Sequence, residues 1–157
     1  MSLAFARTPD GYRLEVSRRI DAPPDTLWDL LCDTTRWSEW GPSVRGVECD
    51  RRYIEAGTRG RVKVADLAGG VWAPFEVTTC ADRRWTWKVG VPTTALLRNT
   101  LDPTPTVPAT GHRVEAVGRG SRVVFEVPPL AAGYAAVCRR ALDDLERLVR
   151  DTEEQGA

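Results

Sequence analysis

The side chain best suited to proton chemistry is His112, the single histidine in a chain of 157 residues. An imidazole titrates near neutral pH, so on a cavity wall it can give or take a proton. The plainer reading is an imidazole satisfied by a backbone carbonyl or a water at the end of a strand. Tyr134 and Cys138 stand four residues apart in a helical pattern and therefore share a face. A buried tyrosine hydroxyl needs a partner, which a ligand oxygen or His112 can supply; otherwise Tyr134 is a core residue with its hydroxyl at the rim. These two, His112 and Tyr134, are the candidate catalytic residues. The sequence reveals no basic partner for Cys138, so it reads as a small core residue rather than a nucleophile. Trp85 and Trp87 either stack on a flat ligand or fill the core. Trp37 and Trp40 either close one end of a cavity or pin a short helix to the sheet. Arg18 falls on the apolar side of a strand, where it pairs with an inward group or is turned out by a bulge, the reading adopted here. There is no phosphate loop, nucleophile elbow, useful pair of carboxylates or metal triad, so no metal and no cofactor is expected.

The elements that must position these residues follow from periodicity. From Leu130 to Glu153, apolar residues including Tyr134, Val137, Cys138, Ala141, Leu142, Leu145 and Val149 recur at three- and four-residue spacing, with charges opposite. That is one apolar stripe on a helix of about six turns at roughly 1.5 Å per residue. Such a helix needs an extended apolar surface beneath it. Tyr12 to Asp21 alternates as a first strand. Ala22-Pro23-Pro24-Asp25 opens a short helix carrying Leu27, Leu30 and Leu31. Asp33 and Thr34 can cap a second one carrying Trp37 and Trp40, which Gly41-Pro42 stops. Strands follow at Val44 to Arg52, which reads as an edge, and at Arg59 to Asp66. Val71 to Thr79 and Trp85 to Val89 form a hairpin in which Thr79 faces Trp85, Val77 faces Trp87 and Phe75 faces Val89. Trp72 falls outside that phase. The last hairpin pairs Gly111 to Val117 with Arg122 to Val127 and puts His112 opposite Val127, Val114 opposite Phe125 and Arg113 opposite Glu126. Between the hairpins, 91–109 is rich in proline and threonine and cannot be a central strand. It is expected to be an inserted loop, either a lid or a flexible segment.

The order predicts an α+β helix-grip layout. A curved antiparallel sheet of about seven strands wraps a long C-terminal helix, with two short helices after the first strand. The whole chain, 1–157, reads as one domain with a core over about 12–150 and flexible ends at 1–10 and 152–157. A sheet bent around one helix contacts it well at one end and can part from it at the other, leaving a cavity of the kind that holds small ligands. The expected lining is Trp40, Val64, Phe75, Val77, Trp85, Trp87, Val114, Phe125, Tyr134, Val137 and Cys138.

Composition narrows the partners. Lys+Arg and Asp+Glu both number 22, so no charge excess invites nucleic acid or an anionic membrane. No apolar run approaches the ~20 residues of a membrane span. Cys32, Cys49, Cys80 and Cys138 form no C-x-x-C pair and read as free thiols in a reducing cytoplasm. A small hydrophobic ligand is the expected partner, and the chain is expected to be a monomer or a homodimer.

The run Ile20-Asp21-Ala22-Pro23-Pro24-Asp25-Thr26-Leu27-Trp28-Asp29-Leu30-Leu31, followed by Asp33, Arg36-Trp37 and Trp40, resembles the opening of the polyketide cyclase/dehydrase-type proteins of the START-like, Bet v 1-like superfamily. Gly57-Thr58, Trp85 to Lys88 and His112-Arg113-Val114-Glu115 resemble the same group. The resemblance implies the helix-grip fold over about Tyr12 to Val149. It also implies a small hydrophobic, aromatic or polyketide-like ligand, bound or acted on. In the catalytic version, an aromatase/cyclase or dehydratase would use His112 as general acid or base. The fold alone does not choose between these functions. One departure is the segment between the fifth and sixth strands, where the group has a short turn.

Overall fold

A computed structural model describes residues 1–65, 70–90 and 106–157. Among the described residues nine strands form one antiparallel sheet, ordered β1-β2-β9-β8-β6-β5-β4-β3, with β7 joined to β6. The strands are β1 Ser2–Thr8, β2 Gly11–Ile20, β3 Val44–Cys49, β4 Arg59–Val64, β5 Val71–Ala81, β6 Arg84–Gly90, β7 Thr106–Pro108, β8 Gly111–Val117 and β9 Gly120–Val127. Helix α1, Pro24–Cys32, and α2, Trp37–Trp40, follow β2, and the long helix α3 is Ala135–Gly156. The α+β helix-grip architecture is therefore present, with more strands than the about seven expected.

The added strands have identifiable causes. Ser2–Thr8 pairs with β2 instead of fraying. Leu3 and Phe5 stay 45% and 68% exposed, so the strand buries no face and leaves no strong alternation to read. Its turn is held by the Thr8 hydroxyl, which accepts from the Asp10 amide at 3.2 Å and donates to the Gly11 carbonyl at 2.9 Å. Thr106–Pro108, inside the expected inserted loop, pairs with β6 as a short outer strand. Residues 91–105, most of the segment expected to be a lid or a flexible loop, lie outside the described residues, as do 66–69.

Two registers and one expected bulge differ from expectation. Between β5 and β6, Phe75 faces Val89 and Val77 faces Trp87, but a bulge between Val77 and Thr79 sets Thr79 opposite Thr86 and Cys80 opposite Trp85. The strands run on to a two-residue turn, Asp82-Arg83, both with positive φ (53° and 58°), the primed turn that suits the twist of a hairpin. Between β8 and β9 the turn is Gly118-Arg119, and Gly118 supplies the left-handed φ of 60°. The pairing slides by two residues: His112 lies opposite Phe125, Val114 opposite Val123 and Arg113 opposite Val124. A two-residue slide keeps every side chain on its face. The outer-face ion pairs survive it, with Glu126, 1% exposed, gripped by Arg84 at 2.9 Å and approached by Arg113 at 3.5 Å. The third case is β2, which pairs with β9 without a bulge from Leu14 to Ile20. Arg18 therefore points to the helix side and pairs with Asp143 and Glu146 of α3.

One core joins sheet and helices. Val16, Leu27, Leu31, Val77, Trp85, Val123, Val127, Leu142 and Leu145 are all 0% exposed. Each such side chain contributes about 1.5–3 kcal/mol over leaving it in water. The α-helical part of the C-terminal stripe begins late. Pro128-Pro129 leads into a 3-10 segment, Pro129–Tyr134, that leaves Leu130 fully exposed. At the other end α3 continues through Gly156, past the expected fraying point. Trp72, opposite Lys63 on β5, lies 4.8 Å from the Arg61 guanidinium.

Candidate functional site

Sheet and helix part at the N-terminal end of α3. There the stripe offers Ala141, Cys138, Val137 and Tyr134, side chains too short or too far out to fill the space left by the curved sheet. The gap is a small chamber of about 40 Å³ lined by Trp37, Trp40 and 41–44 on one side, Trp85, Trp87, Thr110, His112 and Phe125 on the sheet, and Tyr134, Val137, Cys138 and Ala141 on the helix side. It adjoins an outer apolar pocket of about 330 Å³ whose described walls are Ser43, Val44, Val62, Val64, Trp87, Val89, 107–110, Pro128, Ala131 and Tyr134. Ser43, Val44, Trp87, Thr110 and Tyr134 border both.

The chamber is built from stacked rings. Trp37 lies parallel to Trp85 at 5.4 Å, and Trp85 in turn stacks on His112 at 4.0 Å. Phe125 and Trp40 meet the imidazole edge-on at 4.9 and 5.9 Å. Trp37 and Trp40 fill both roles considered for them. They wall the chamber, and their indole N–H groups donate to the Leu31 and Leu30 carbonyls at 2.9 and 3.0 Å. Those carbonyls belong to the last turn of α1, where helical partners run out. Asp33 fixes the approach: its Oδ1 accepts from the Thr35 amide at 3.0 Å, and Arg52 pairs with Oδ2 at 3.1 Å.

The two inner tryptophans and the histidine differ from that pair. The Nε1 atoms of Trp85 and Trp87 and Nδ1 of His112 are buried with no hydrogen-bond partner among the described residues. A buried polar atom left unpaired costs about 1–3 kcal/mol, so three on the walls of one chamber form a polar set that an occupant can satisfy. Burial drives the His112 pKa down to about 3, so the ring is neutral at ordinary pH. The Tyr134 hydroxyl is bonded to Ser43, not to His112, and burial holds its pKa above the usual phenol value. Burial also pushes the Cys138 thiol up to about 12.

Of the residues expected to line a cavity, Trp40, Trp85, Trp87, Phe125, Tyr134, Val137 and Cys138 border the chamber and Val64 borders the outer pocket. Phe75, Val77 and Val114 do not; they are packed into the core at 3%, 0% and 5% exposure. The phase of a strand names the buried face but not where along it the helix lifts away. Val44, Thr110 and Ala141 were not anticipated. Ala141 lies on the helix stripe, and its small size next to Cys138 was the available signal.

An antiparallel sheet gripping a C-terminal helix, with an apolar chamber at one end of the grip, defines a Bet v 1-like helix-grip protein. Residues 12–150 match the family described as polyketide cyclase / dehydrase and lipid transport, and the chain belongs to that family. Among solved structures it is similar to Ara h 8.0201 (11% identity, TM-score 0.60, 87% of this chain and 96% of that one). It is also similar to CalU16 from Micromonospora echinospora (19%, 0.58, 95% and 82%). A third likeness is to the di-domain ARO/CYC BexL from the BE-7585A biosynthetic pathway (18%, 0.62, 87% of this chain and 45% of that one). A search of curated proteins found no match. Among the described residues no helix is long and apolar enough to cross a membrane.

Proposed function

We propose that this protein binds a compact, partly aromatic hydrophobic molecule of polyketide type. The body of the molecule occupies the outer pocket and one polar edge reaches the chamber. The observation that carries the reading is the shared wall of the two spaces: Ser43, Val44, Trp87, Thr110 and Tyr134 border both the apolar pocket of about 330 Å³ and the chamber, whose aromatic walls hold three nitrogens unpaired among the described residues. That size falls within the ~300–1,000 Å³ common for small-molecule sites, which are mostly apolar with a few convergent polar groups. The indole N–H groups can only donate, so they suit a carbonyl or phenolic oxygen. The family's description, polyketide cyclase / dehydrase and lipid transport, supports a polyketide-type ligand.

Binding is favoured over cyclisation or dehydration by the state of His112. A general base or acid works best with a pKa near the operating pH. An imidazole held at about 3 carries no proton to give as an imidazolium at neutral pH and is a weak base. The test is a titration with the neutral fluorescent probe N-phenyl-1-naphthylamine, read by energy transfer from tryptophan. Saturable binding is expected, and Val107→Arg should weaken it about tenfold or more, ~1.4 kcal/mol. Val107 borders the outer pocket and is 47% exposed, so the substitution leaves the core intact. Probe binding that is absent, or indifferent to Val107→Arg, would sink the proposal.

A further inference from the structure

We propose that the free edge of β1 docks a second copy of this chain, the two strands pairing antiparallel about a twofold axis at Ala4. Among the described residues β1 is paired on one side only, with β2, over seven residues in unbroken register. The backbone N–H and C=O groups along its other side form a template that another strand can match, and native sheets blunt such edges with charges, proline or bulges. The opposite edge of this sheet is blunted in that way: β3 has a register break between Val44 and Gly46 and carries Arg45 and Glu48 exposed. β1 holds no proline, no glycine and no bulge. Its single charge, Arg7, lies over the ring of Tyr12 on β2 at 5.7 Å, drawn away from the free edge. Leu3 and Phe5 stand opposite Val16 and Leu14, on the helix side of the sheet. They remain exposed because the core that buries Val16 and Leu14 stops at β2.

The residues of β1 favour its own copy as the occupant. Pairing about Ala4 sets Leu3 of each chain opposite Phe5 of the other, giving two aromatic–aliphatic pairs on the helix side. On the outer side Ala4 then meets Ala4 and Ser2 meets Ala6, all small side chains that let the strands close. Pairing about Phe5 would set Leu3 against Arg7, and a slip of one residue would send Leu3 and Phe5 to the outer face of the second copy. With 22 basic and 22 acidic residues, two copies approach without net repulsion. A membrane surface would cover the apolar side chains but leave the N–H and C=O groups of the edge unpaired. No residue of β1 borders the chamber or the outer pocket, so this association is separate from what those spaces hold.

An edge pairing of this length belongs with small, reversible interfaces, below about 1,200 Å² in total, so self-association of the full-length protein is read by sedimentation velocity from about 5 to 500 µM. A monomer passing into a dimer across that range is expected. Phe5 is exposed, so Phe5→Glu should keep the circular dichroism of the unsubstituted protein while raising the dimer dissociation constant at least about tenfold. The register is read separately by Ala4→Cys under mild oxidation, with peptides mapped without reduction. Directly opposed residues have Cα atoms about 4.5–5.5 Å apart, within reach of a disulfide, so two chains should link through position 4. Leu3→Cys should link to its own copy at least about tenfold more slowly, because its mate lies diagonally across the pair. A single monomeric species at every concentration, a dimer that Phe5→Glu leaves intact, or Ala4→Cys chains that do not join through position 4 would each overturn the proposal. Should Phe5→Glu unfold, the concentration series and the position-4 link decide without it.

Discussion

Along the later turns of α3, Leu142, Leu145 and Val149 are 0%, 0% and 6% exposed and share a core with Val16 and Ile20 of β2 and Leu27 and Leu31 of α1. Along its first turns, Val137, Cys138 and Ala141 look onto a chamber whose far wall is a stack of tryptophan and histidine rings. One stripe of one helix is thus packed at one end and lifted at the other. The difference lies in side-chain reach. Leucines bridge the gap between helix axis and sheet, whereas alanine and cysteine do not, and the aromatic residues supplied by β6, β8 and α2 fill only part of the remainder. A helix-grip protein creates its cavity by shortening the residues at one end of the helix, and the other end must then hold the fold together.

The largest effect expected from this contrast is at the packed end. Leu145→Ala removes a side chain that is 0% exposed. It should cost about 3 kcal/mol in urea unfolding. Under conditions where the variant remains folded, affinity for N-phenyl-1-naphthylamine should be unchanged. Lost affinity in a folded Leu145→Ala protein would show that the two ends are coupled, not separate.

An intermediate effect is expected at the open end, and it depends on pH. The His112 pKa is held near 3 in the folded protein against an ordinary 6.5. As pH falls below 6.5 the unfolded chain takes up a proton that the folded protein refuses until about 3, so stability drops across that window. Between about pH 7 and pH 4.5 this one group should remove roughly 2.5 kcal/mol. His112→Phe keeps a flat ring against Trp85 and has nothing to titrate, so it should lose that much less than the unsubstituted protein over the same interval. The depressed pKa values of Asp33 and Glu115 destabilise both proteins alike in acid and cancel in the difference. Equal losses would mean that the imidazole is reached by water and is not the dry wall described here.

Much of this was legible in the chain itself. The C-terminal stripe, the proline-led α1, the aspartate before α2 and the alternation of β5 with β6 and β8 with β9 each come from a local pattern with one buried face. What stayed hidden was set by features with no such pattern. Ser2–Thr8 buries neither face, so alternation could not reveal it. A slide of two residues between β8 and β9 changes partners without changing faces, so polarity alone did not fix the register. Phe75, Val77 and Val114 share the inward phase of Trp85 but lie where no cavity opens.

The smallest effect is expected at Leu130, where the helical pattern and the structure disagree. In the sequence Leu130 begins the apolar stripe, four residues before Tyr134 and in phase with it. Had α3 started there, the residue would cover the outer pocket. Pro128 and Pro129 instead end β9 and direct the chain into a 3-10 segment, whose different winding carries Leu130 out to full exposure. The stripe reaches α-helical form only from Ala135, and Tyr134 stands at its boundary, bonded to Ser43. Leu130→Ser should therefore change unfolding stability by no more than about 0.5 kcal/mol, the range of ordinary surface substitutions. A loss of about 2 kcal/mol or more would mean that Leu130 packs in solution as the sequence pattern suggests. The open end of α3 would then be a closed one, and the outer pocket would be narrower than its described walls make it.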